Sequence, residues 1–239
     1  MIESSIKIIN GNYFRDGFTI IESKEIKENV DIIINEFNKF NSLFRNDKFK
    51  NRNILKRFSD CFAVNEFFSS KFLFKIVNQY CSIKVPVFCG PIFSHYTSHD
   101  QTGEGYGLPY HQDWPSMASS KNSIIIWFSL KDCDENSHSI SVLRGHHKNG
   151  LLPGKQNEHG YEIEMSDDFL KFQETLSIKA GQVLLMSSFL PHKTYVNLKS
   201  KASKISLSRR IDDFASEEWS KRKYVNAYQN KVDRNLFLN

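Results

Sequence analysis

Two side chains that bind metal ions lie close together in residues 107–114. His111 carries an imidazole, and Asp113 carries a carboxylate just beyond it. Residues i and i+2 of an extended chain project from the same face, so these two groups can hold one ion together. A site with two histidines and one carboxylate on one side of an iron leaves positions open for a co-substrate and oxygen. The pair therefore requires a second histidine from elsewhere in the chain.

His192 is the histidine that we expect to complete this site. It follows the predicted strand 182–187 and a turn, so regular structure sets its position, and Pro191 restrains the backbone before it. In a jelly roll, strands that are distant in sequence become neighbours, so the separation from His111 is no obstacle. The other histidines lie mostly in loop-like or sheet-surface contexts: His95, His99, His138, His146, His147 and His159.

The elements that position these residues begin with predicted helices in the N-terminal part. Asp16-Gly17 indicates a turn that leads into a short strand. Ser23 is placed to cap a helix, because apolar residues recur at helical spacing from there to Phe40. A second amphipathic helix is predicted over residues 69–80.

Short β-type runs separated by turn residues follow from residue 83 onward. Many short strands at such spacing indicate a β-sandwich or jelly roll, in which two antiparallel sheets enclose a core that can hold a ligand. Residues 149–168 lack apolar periodicity and are predicted to form a long loop, and residues 217–239 a closing helix. The predicted strands are 85–89, 92–96, 123–130, 139–143, 174–178, 182–187 and 204–211.

The fold class that we expect is mainly β with flanking helices. The length of 239 residues fits one large domain. Within it we expect a mostly helical part at 1–80, a jelly-roll core at 83–211 and a C-terminal helical segment at 212–239.

Charge and cysteine content limit the partners and the cellular compartment that we expect. The net charge of +5 comes from 32 basic against 27 acidic residues, with no basic block that would indicate nucleic-acid binding. Since no apolar run approaches the length of a membrane span, we expect no membrane partner. The four cysteines form no C-x-x-C motif, so we expect free thiols and a cytoplasmic protein.

Four blocks of sequence resemble the phytanoyl-CoA dioxygenase family of iron(II)- and 2-oxoglutarate-dependent oxygenases. Their order and spacing match the family from about residue 13 to residue 210, which is nearly the whole chain. Four blocks in register are far more specific than a single His-x-Asp pair. The blocks are 111–115, 122–130, 142–148 and 181–192, followed by Asn197.

The resemblance implies a fold, a set of cofactors and roles for particular residues. The fold implied is the double-stranded β-helix, a cupin-like jelly roll. His111, Asp113 and His192 match the iron ligands of the family. The matches for the 2-oxoglutarate site are Gln112 and Trp127, which line it, and Thr194, whose hydroxyl can bond a carboxylate of the co-substrate.

The activity implied is hydroxylation of a small molecule by dioxygen, with release of succinate and CO2. Halogenating relatives replace the carboxylate ligand by a small residue. Asp113 keeps the carboxylate, so hydroxylation is favoured over halogenation. Desaturation, epimerisation and ring formation use the same ligands and stay open.

One departure from the family concerns the anchor of 2-oxoglutarate. The family usually has an arginine about eleven residues beyond the distal histidine, where a guanidinium binds the far carboxylate in bidentate fashion. This chain has Ser203 there, and Lys204 with Ser206 follows in a basic-x-serine arrangement that related oxygenases use. We therefore predict Lys204 and Ser206 as the anchor, with Arg210 and then Arg209 as the next candidates. On a strand, Lys204, Ser206, Ser208 and Arg210 share one face.

Two other readings stay open at this stage. The chain fits a cupin-like metal-binding isomerase or a non-catalytic sugar-binding jelly roll, if neither Lys204 nor Arg210 faces the metal. It also fits a family member that has lost its activity, although the three ligands are intact. A natural product, a sugar or a related metabolite is the expected substrate, with oligomeric state undetermined. Weak candidates for substrate contact are His95, Tyr96, His99 and Tyr106.

Overall fold

Two antiparallel sheets packed face to face form the body of the protein. The computed structural model describes residues 6–43, 55–98, 107–117, 120–157 and 160–221. Apolar side chains from both sheets meet in one buried cluster, which includes Trp127 and Met186 of the larger sheet and Val142 of the smaller. The mainly β fold with flanking helices that the sequence predicts is confirmed.

The larger sheet has seven strands in the order β1-β2-β11-β6-β13-β3, with β4 also paired to β13. Its longest strand, β13, therefore has neighbours on both edges. The strands are β1 (Lys7–Asn10), β2 (Phe18–Glu22), β3 (Pro86–Phe88), β4 (Phe93–Ser98), β6 (Ile124–Ser129), β11 (Gln182–Ser187) and β13 (Ser203–Asp213).

The smaller sheet has six strands in the order β10-β7-β12-β5-β9-β8. The short strand β5 thus lies between β12 and β9 and is held on both sides. The strands are β5 (His111–Gln112), β7 (His138–Leu143), β8 (Gly154–Asn157), β9 (Gly160–Ile163), β10 (Gln173–Thr175) and β12 (His192–Val196).

Strand β11 shows why this sequence forms the inner layer. Every residue of Gln182–Ser187 is buried, as expected of a strand that is covered on both faces. Leu184 and Met186 pack into the cluster between the sheets. Val183 and Leu185 face the opposite way and pack against the helices. The continuous apolar run therefore follows from two buried faces.

The helices cover the outer face of the larger sheet. Ser23 caps the longest one, since its hydroxyl accepts a hydrogen bond from the amide of Ile26, and Ser70 caps α5 in the same way through Leu73. Apolar residues of these helices join Phe128 and Leu207 of the sheet in a second buried cluster. The helices on this face are α2 (Lys24–Leu43), α3 (Leu55–Phe58), α4 (Phe62–Phe68) and α5 (Lys71–Cys81).

Four single-turn α-helices and one 3-10 helix (His146–Asn149) occur elsewhere in the described ranges. None of the helices in those ranges is long and apolar enough to cross a membrane. The short helices are α1 (Tyr13–Asp16), α6 (Trp114–Met117), α7 (Asp167–Leu170) and α8 (Glu218–Lys221).

The sequence prediction was wrong for residues 149–168. Strands β8 and β9 form a hairpin there and extend the smaller sheet beyond β5. The hairpin lies at the edge of the sheet, where β8 has no outer partner among the described residues, and this explains why its residues lack a regular apolar pattern. Of the predicted C-terminal helix, only α8 falls within the described residues, and 222–239 lie outside them.

Gly17 generates a test of the fold. It has φ +84°, and a Cβ added there would lie 2.6 Å from Nδ1 of His147 and 2.8 Å from Leu190. Gly145 has φ +80°, but its added Cβ would meet nothing closer than 3.7 Å. We expect Gly145→Ala to cost about 1–2 kcal/mol for the left-handed backbone. Gly17→Ala should cost about 1–3 kcal/mol more because of overpacking.

The measurement is the free energy of unfolding of both variants in urea. Gly145→Ala is the matched control, because it carries the backbone strain without the close contacts. Equal losses in the two variants would contradict the packing that we describe around Gly17.

Candidate metal centre

His111 and His192 face each other on neighbouring strands of the smaller sheet. The register of β5 and β12 pairs these two residues directly, and their ring centroids lie 4.2 Å apart. Asp113 follows β5 and projects on the same side as His111. One ligand atom from each of the three buried residues lies within 4.8 Å of the other two. The structure therefore brings together the three residues that the sequence singles out.

Both imidazoles are held in the tautomer that metal binding needs. Nδ1 of His111 lies 2.8 Å from the carbonyl of Pro109, and Nδ1 of His192 lies 2.9 Å from the carbonyl of Leu190. A carbonyl oxygen can only accept, so each Nδ1 must carry the proton. Each Nε2 then offers a lone pair toward the centre, as in metal sites whose histidines are oriented by outer hydrogen bonds.

The electrostatics of the triad also suit a cation. Burial, and then the neighbouring His111, lowers the pKa of His192 to about 3, so this imidazole is neutral at physiological pH. Burial opposes ionisation of Asp113, but the charge of Arg210 and its hydrogen bond to the carboxylate outweigh this effect and lower the pKa of the carboxyl. Arg210 donates to Oδ1 of Asp113 over 2.7 Å. The centre therefore presents one carboxylate and, in His192, one neutral nitrogen.

The backbone around Asp113 is fixed by the residues that follow it. The amide of Trp114 donates to the carbonyl of Ser188, and the indole N–H donates to the carbonyl of Ser120. Asp212 of β13 in turn accepts from the amide of Ser120. The chain beyond the carboxylate is thus tied to the larger sheet, which limits the freedom of the Asp113 side chain.

A cavity extends from the triad between the two sheets. The metal-binding groups lie in its wall together with basic and hydroxyl side chains of β13 and β12. Its lining comprises His95, Leu108, His111, Asp113, Ile125, Trp127, Ile140, Met186, His192, Lys193, Thr194, Lys204, Ser206, Ser208 and Arg210.

Lys204 is a buried cation in the wall of this cavity. It is 4% exposed, and Nζ donates to the carbonyl of Ser139 over 2.8 Å. Its Nζ also lies 6.0 Å from the ring centroid of Trp127. Burial lowers the pKa of Lys204 to about 8, and within the described part of the chain no carboxylate is paired with it. A buried ammonium group with no acidic partner is well suited to an anionic ligand.

Two hydroxyl groups lie on the same cavity. Ser206 is fully buried, and its Oγ has no hydrogen-bond partner among the described residues. Thr194 accepts from the amide of Leu108 over 3.2 Å, so its own proton is available to an acceptor. Together with Lys204 they form a set of donors.

Side chains alternate between the two faces of β13, and the basic residues lie on the faces that the sequence predicts. Lys204, Ser206, Ser208 and Arg210 all line the cavity. Arg209 projects from the other face of the strand, where its guanidinium carbon lies 3.5 Å from the ring centroid of Phe88. Arg209 is therefore removed from the candidate anchors.

Gln112 does not lie where the resemblance implies. It projects away from the cavity, because its neighbours His111 and Asp113 project into it and side chains alternate on a strand. The buried amide donates to the carbonyls of Gly150 and Phe189 and accepts from the amide of Leu152. Gln112 thus joins three segments of backbone and does not line the pocket.

His95 also lines the cavity, although the sequence makes it only a weak candidate for substrate contact. It lies on β4 opposite Ser206 and faces the cavity, and burial lowers its pKa to about 4. Strand alternation groups it with Phe93 and Thr97, but the pairing of β4 with β13 is not visible in the sequence. Tyr96 projects from the opposite face of β4. His99, Tyr106 and His159 lie outside the described residues.

The family comparison agrees with this geometry. The model of the phytanoyl-CoA dioxygenase (PhyH) family matches residues 14–206, and this confirms the resemblance noted from the sequence. No curated protein matches the chain.

Solved structures with low sequence identity share the fold. The epimerase SnoN in complex with Fe3+, alpha ketoglutarate and nogalamycin RO is 11% identical with a TM-score of 0.62, over 84% of this chain and 81% of that one. EvdO2 from Micromonospora carbonacea var. aurantiaca complexed with 2-oxoglutarate is 13% identical with a TM-score of 0.60, over 89% and 96%. The apo non-heme monooxygenase ThoJ is 14% identical with a TM-score of 0.59, over 84% and 76%.

Gln112 provides a test of its structural role. We expect Gln112→Leu to lower the free energy of unfolding by about 3 kcal/mol, because it leaves buried carbonyl and amide groups unpaired. Cobalt(II) binding by the folded fraction should be retained, since the side chain points away from the triad. Urea unfolding and cobalt titration measure the two effects. Unchanged stability together with a loss of 2-oxoglutarate binding would instead show that Gln112 belongs to the 2-oxoglutarate site.

Proposed function

This chain belongs to the phytanoyl-CoA dioxygenase family of iron- and 2-oxoglutarate-dependent oxygenases, and we propose that it hydroxylates a small molecule at the triad of His111, Asp113 and His192. One observation carries the proposal. A single cavity holds a buried two-histidine, one-carboxylate set and, on β13, a buried lysine with no paired carboxylate in the described ranges. These two features match a metal ion and a dicarboxylate that bind together.

The residues present fit an iron ion. Both Nε2 atoms are free of the carbonyl contacts that hold Nδ1, and the carboxylate of Asp113 lies beside them. Two imidazoles and one carboxylate are the donor set of non-heme iron oxygenases, which leaves further positions on the metal open. His111, Asp113 and His192 would hold the iron.

The residues present also fit 2-oxoglutarate. A pKa of about 8 for Lys204, against 10.5 for a free lysine, corresponds to about 3 kcal/mol against the charged form. A carboxylate beside the ammonium group would offset that cost. Ser206 and Thr194 offer hydroxyl donors to the same carboxylate, and Trp127 forms an apolar wall. We therefore assign Lys204, with Ser206 and Thr194, as the anchor of the co-substrate.

When bound, iron and 2-oxoglutarate would provide the chemistry by which dioxygen oxidises a substrate C–H bond. Succinate and CO2 would be the co-products. The protein's own part is to fix the ligands and to exclude water. Hydrogen bonds to Nδ1 keep both imidazoles oriented, and the buried walls formed by Ile125, Ile140 and Met186 keep the cavity apolar around the polar groups. Such a site limits unproductive reactions of the oxidant.

The rival readings are less well supported. A cupin-like isomerase or a sugar-binding jelly roll would be supported if neither Lys204 nor Arg210 faced the metal, but Arg210 contacts the ligand Asp113 and Lys204 lines the same cavity. A member without activity has no need of an intact triad with both imidazoles in the metal-binding tautomer.

Proteins of similar structure support a small-molecule substrate. The type of reaction is a separate proposal for this chain. EvdO2 is described with 2-oxoglutarate, and SnoN, an epimerase, with Fe3+ and alpha ketoglutarate. Hydroxylation is our proposal for this chain, on a natural product, sugar or related metabolite. We further propose that residues 1–239 act as one domain, and that the protein is cytoplasmic, in keeping with its free cysteines.

The first test is anaerobic titration of the protein with iron(II) and 2-oxoglutarate, followed by the metal-to-ligand charge-transfer band. We expect a band in the wild type and none in Asp113→Ala. Lys204→Met should weaken the affinity for 2-oxoglutarate by at least about tenfold, because a buried charge loses its partner. Lys131→Met is the control, since that lysine is exposed. The absence of a band in folded, iron-loaded wild type would refute the proposed function.

The pH dependence of 2-oxoglutarate binding is a second test. Lys204 carries its charge only when protonated, and burial lowers its pKa to about 8. Affinity should therefore be full below that pH and fall above it, by up to about tenfold per pH unit. Lys204→Arg should flatten the decline, because a guanidinium stays charged throughout. An equal decline in both proteins, measured by the same titration from pH 6.5 to 9.5, would count against Lys204 as the anchor.

A further inference from the structure

Arg210 lies at the metal end of the cavity and contacts a metal ligand. We propose that Arg210 is a positioning residue that holds the carboxylate of Asp113 in place to receive the metal ion. This inference rests on the proposed function, because it assumes that the triad binds a metal. It gives Arg210 a role different from the co-substrate anchor for which the sequence made it a candidate.

The contact is short and buried. Nη2 of Arg210 donates to Oδ1 of Asp113 over 2.7 Å, and the two side chains are 12% and 7% exposed. The bond joins the two sheets, since Arg210 belongs to β13 of the larger sheet and Asp113 follows β5 of the smaller. Charge-assisted hydrogen bonds of this length are among the strong ones in proteins. The carboxylate is therefore held from the side of the larger sheet.

The arginine is itself well fixed. Its backbone pairs with Ile125 of β6 inside the larger sheet. Its guanidinium carbon lies 3.9 Å from the ring centroid of Phe93, in a cation–π contact. A donor that is fixed by a strand and a ring cannot follow the carboxylate when it rotates. Arg210 can thus impose an orientation on Asp113.

Orientation matters because the three ligands must meet at one point. Oδ1 of Asp113 lies 3.9 Å from Nε2 of His111, so the carboxylate already faces the nitrogen that would share its metal. The two histidines are oriented by backbone carbonyls, and Arg210 does the same for the third ligand. Every ligand of the triad therefore has a hydrogen bond that sets its direction. The histidines are bonded at Nδ1, and Asp113 is bonded at Oδ1, an oxygen whose second lone pair is left for the metal.

Position along β13 separates this role from that of Lys204. Lys204 and Arg210 are six residues apart on one face of β13, so they meet different parts of the opposite sheet. Arg210 binds Asp113, whereas Lys204 bonds the carbonyl of Ser139. One co-substrate that reaches from the metal toward Lys204 does not need Arg210 as its far anchor.

Cobalt(II), added to metal-free protein, is the probe for this role. We expect Arg210→Met to weaken cobalt binding by about tenfold to a hundredfold, as is typical when an outer partner of a metal ligand is lost. The visible spectrum of bound cobalt should also change, because the carboxylate is free to bind differently. Arg209→Met is the matched control, and it should leave affinity and spectrum unchanged. A thermal melt of each variant reports whether the fold is kept.

The outcomes separate this inference from the proposed function. If wild type binds no cobalt at the triad, the proposed metal site itself fails. If wild type binds and Arg210→Met matches it in affinity and spectrum, Arg210 does not position Asp113. A variant that binds cobalt normally but loses 2-oxoglutarate would identify Arg210 as the anchor and overturn the assignment.

Arg210→Lys serves if Arg210→Met does not fold. The lysine keeps the charge but loses the planar, pre-organised guanidinium. We expect weaker cobalt binding than in wild type and an altered spectrum, with a smaller loss than in Arg210→Met. A lysine variant identical to wild type in both measurements would show that the guanidinium geometry is not needed and would reject the positioning role.

Discussion

The pairing of β5 with β12 is the constraint on which the candidate centre depends. It places His192 directly opposite His111, so two residues that are far apart in sequence project their imidazoles from adjacent strands. Side chains alternate along a strand, and a shift of one residue in either partner would turn an imidazole out of the cavity. β5 is very short, and its register is therefore maintained by its neighbours. Gln112 contributes through its bonds to Gly150, Leu152 and Phe189.

The charges of the site follow from this arrangement and from burial. Asp113, Arg210 and Lys204 are all largely removed from water, where unpaired charges are costly. Asp113 and Arg210 neutralise each other across the two sheets, but within the described ranges Lys204 contacts the carbonyl of Ser139 and the face of Trp127 and no carboxylate. The protein thus keeps a destabilising cation in its interior, and an anionic co-substrate would remove that cost. Residues that are unfavourable for folding are expected at functional sites.

Strand alternation allowed much of the site to be predicted. The spacing of Lys204, Ser206 and Arg210 placed them on one face of β13, and all three line the cavity. The same rule could have moved Gln112 out of the co-substrate site, since both of its neighbours face the metal. Pairing between strands could not be predicted in this way. His95 reaches the cavity only because β4 lies beside β13, and the contact of Arg210 with Asp113 arises because the two sheets face each other.

Periodicity, spacing and motif order are local properties of the chain, and they were sufficient to predict the fold class, the family and the three candidate ligands. Tertiary contacts were needed to learn which basic residue lies beside the ligand triad and which lies opposite a backbone carbonyl. Lys204 and Arg210 are equivalent in an alternating pattern. They differ in what the opposite sheet presents to them, a carbonyl for Lys204 and a carboxylate for Arg210. Distances across a sandwich depend on sheet packing, which no local pattern encodes.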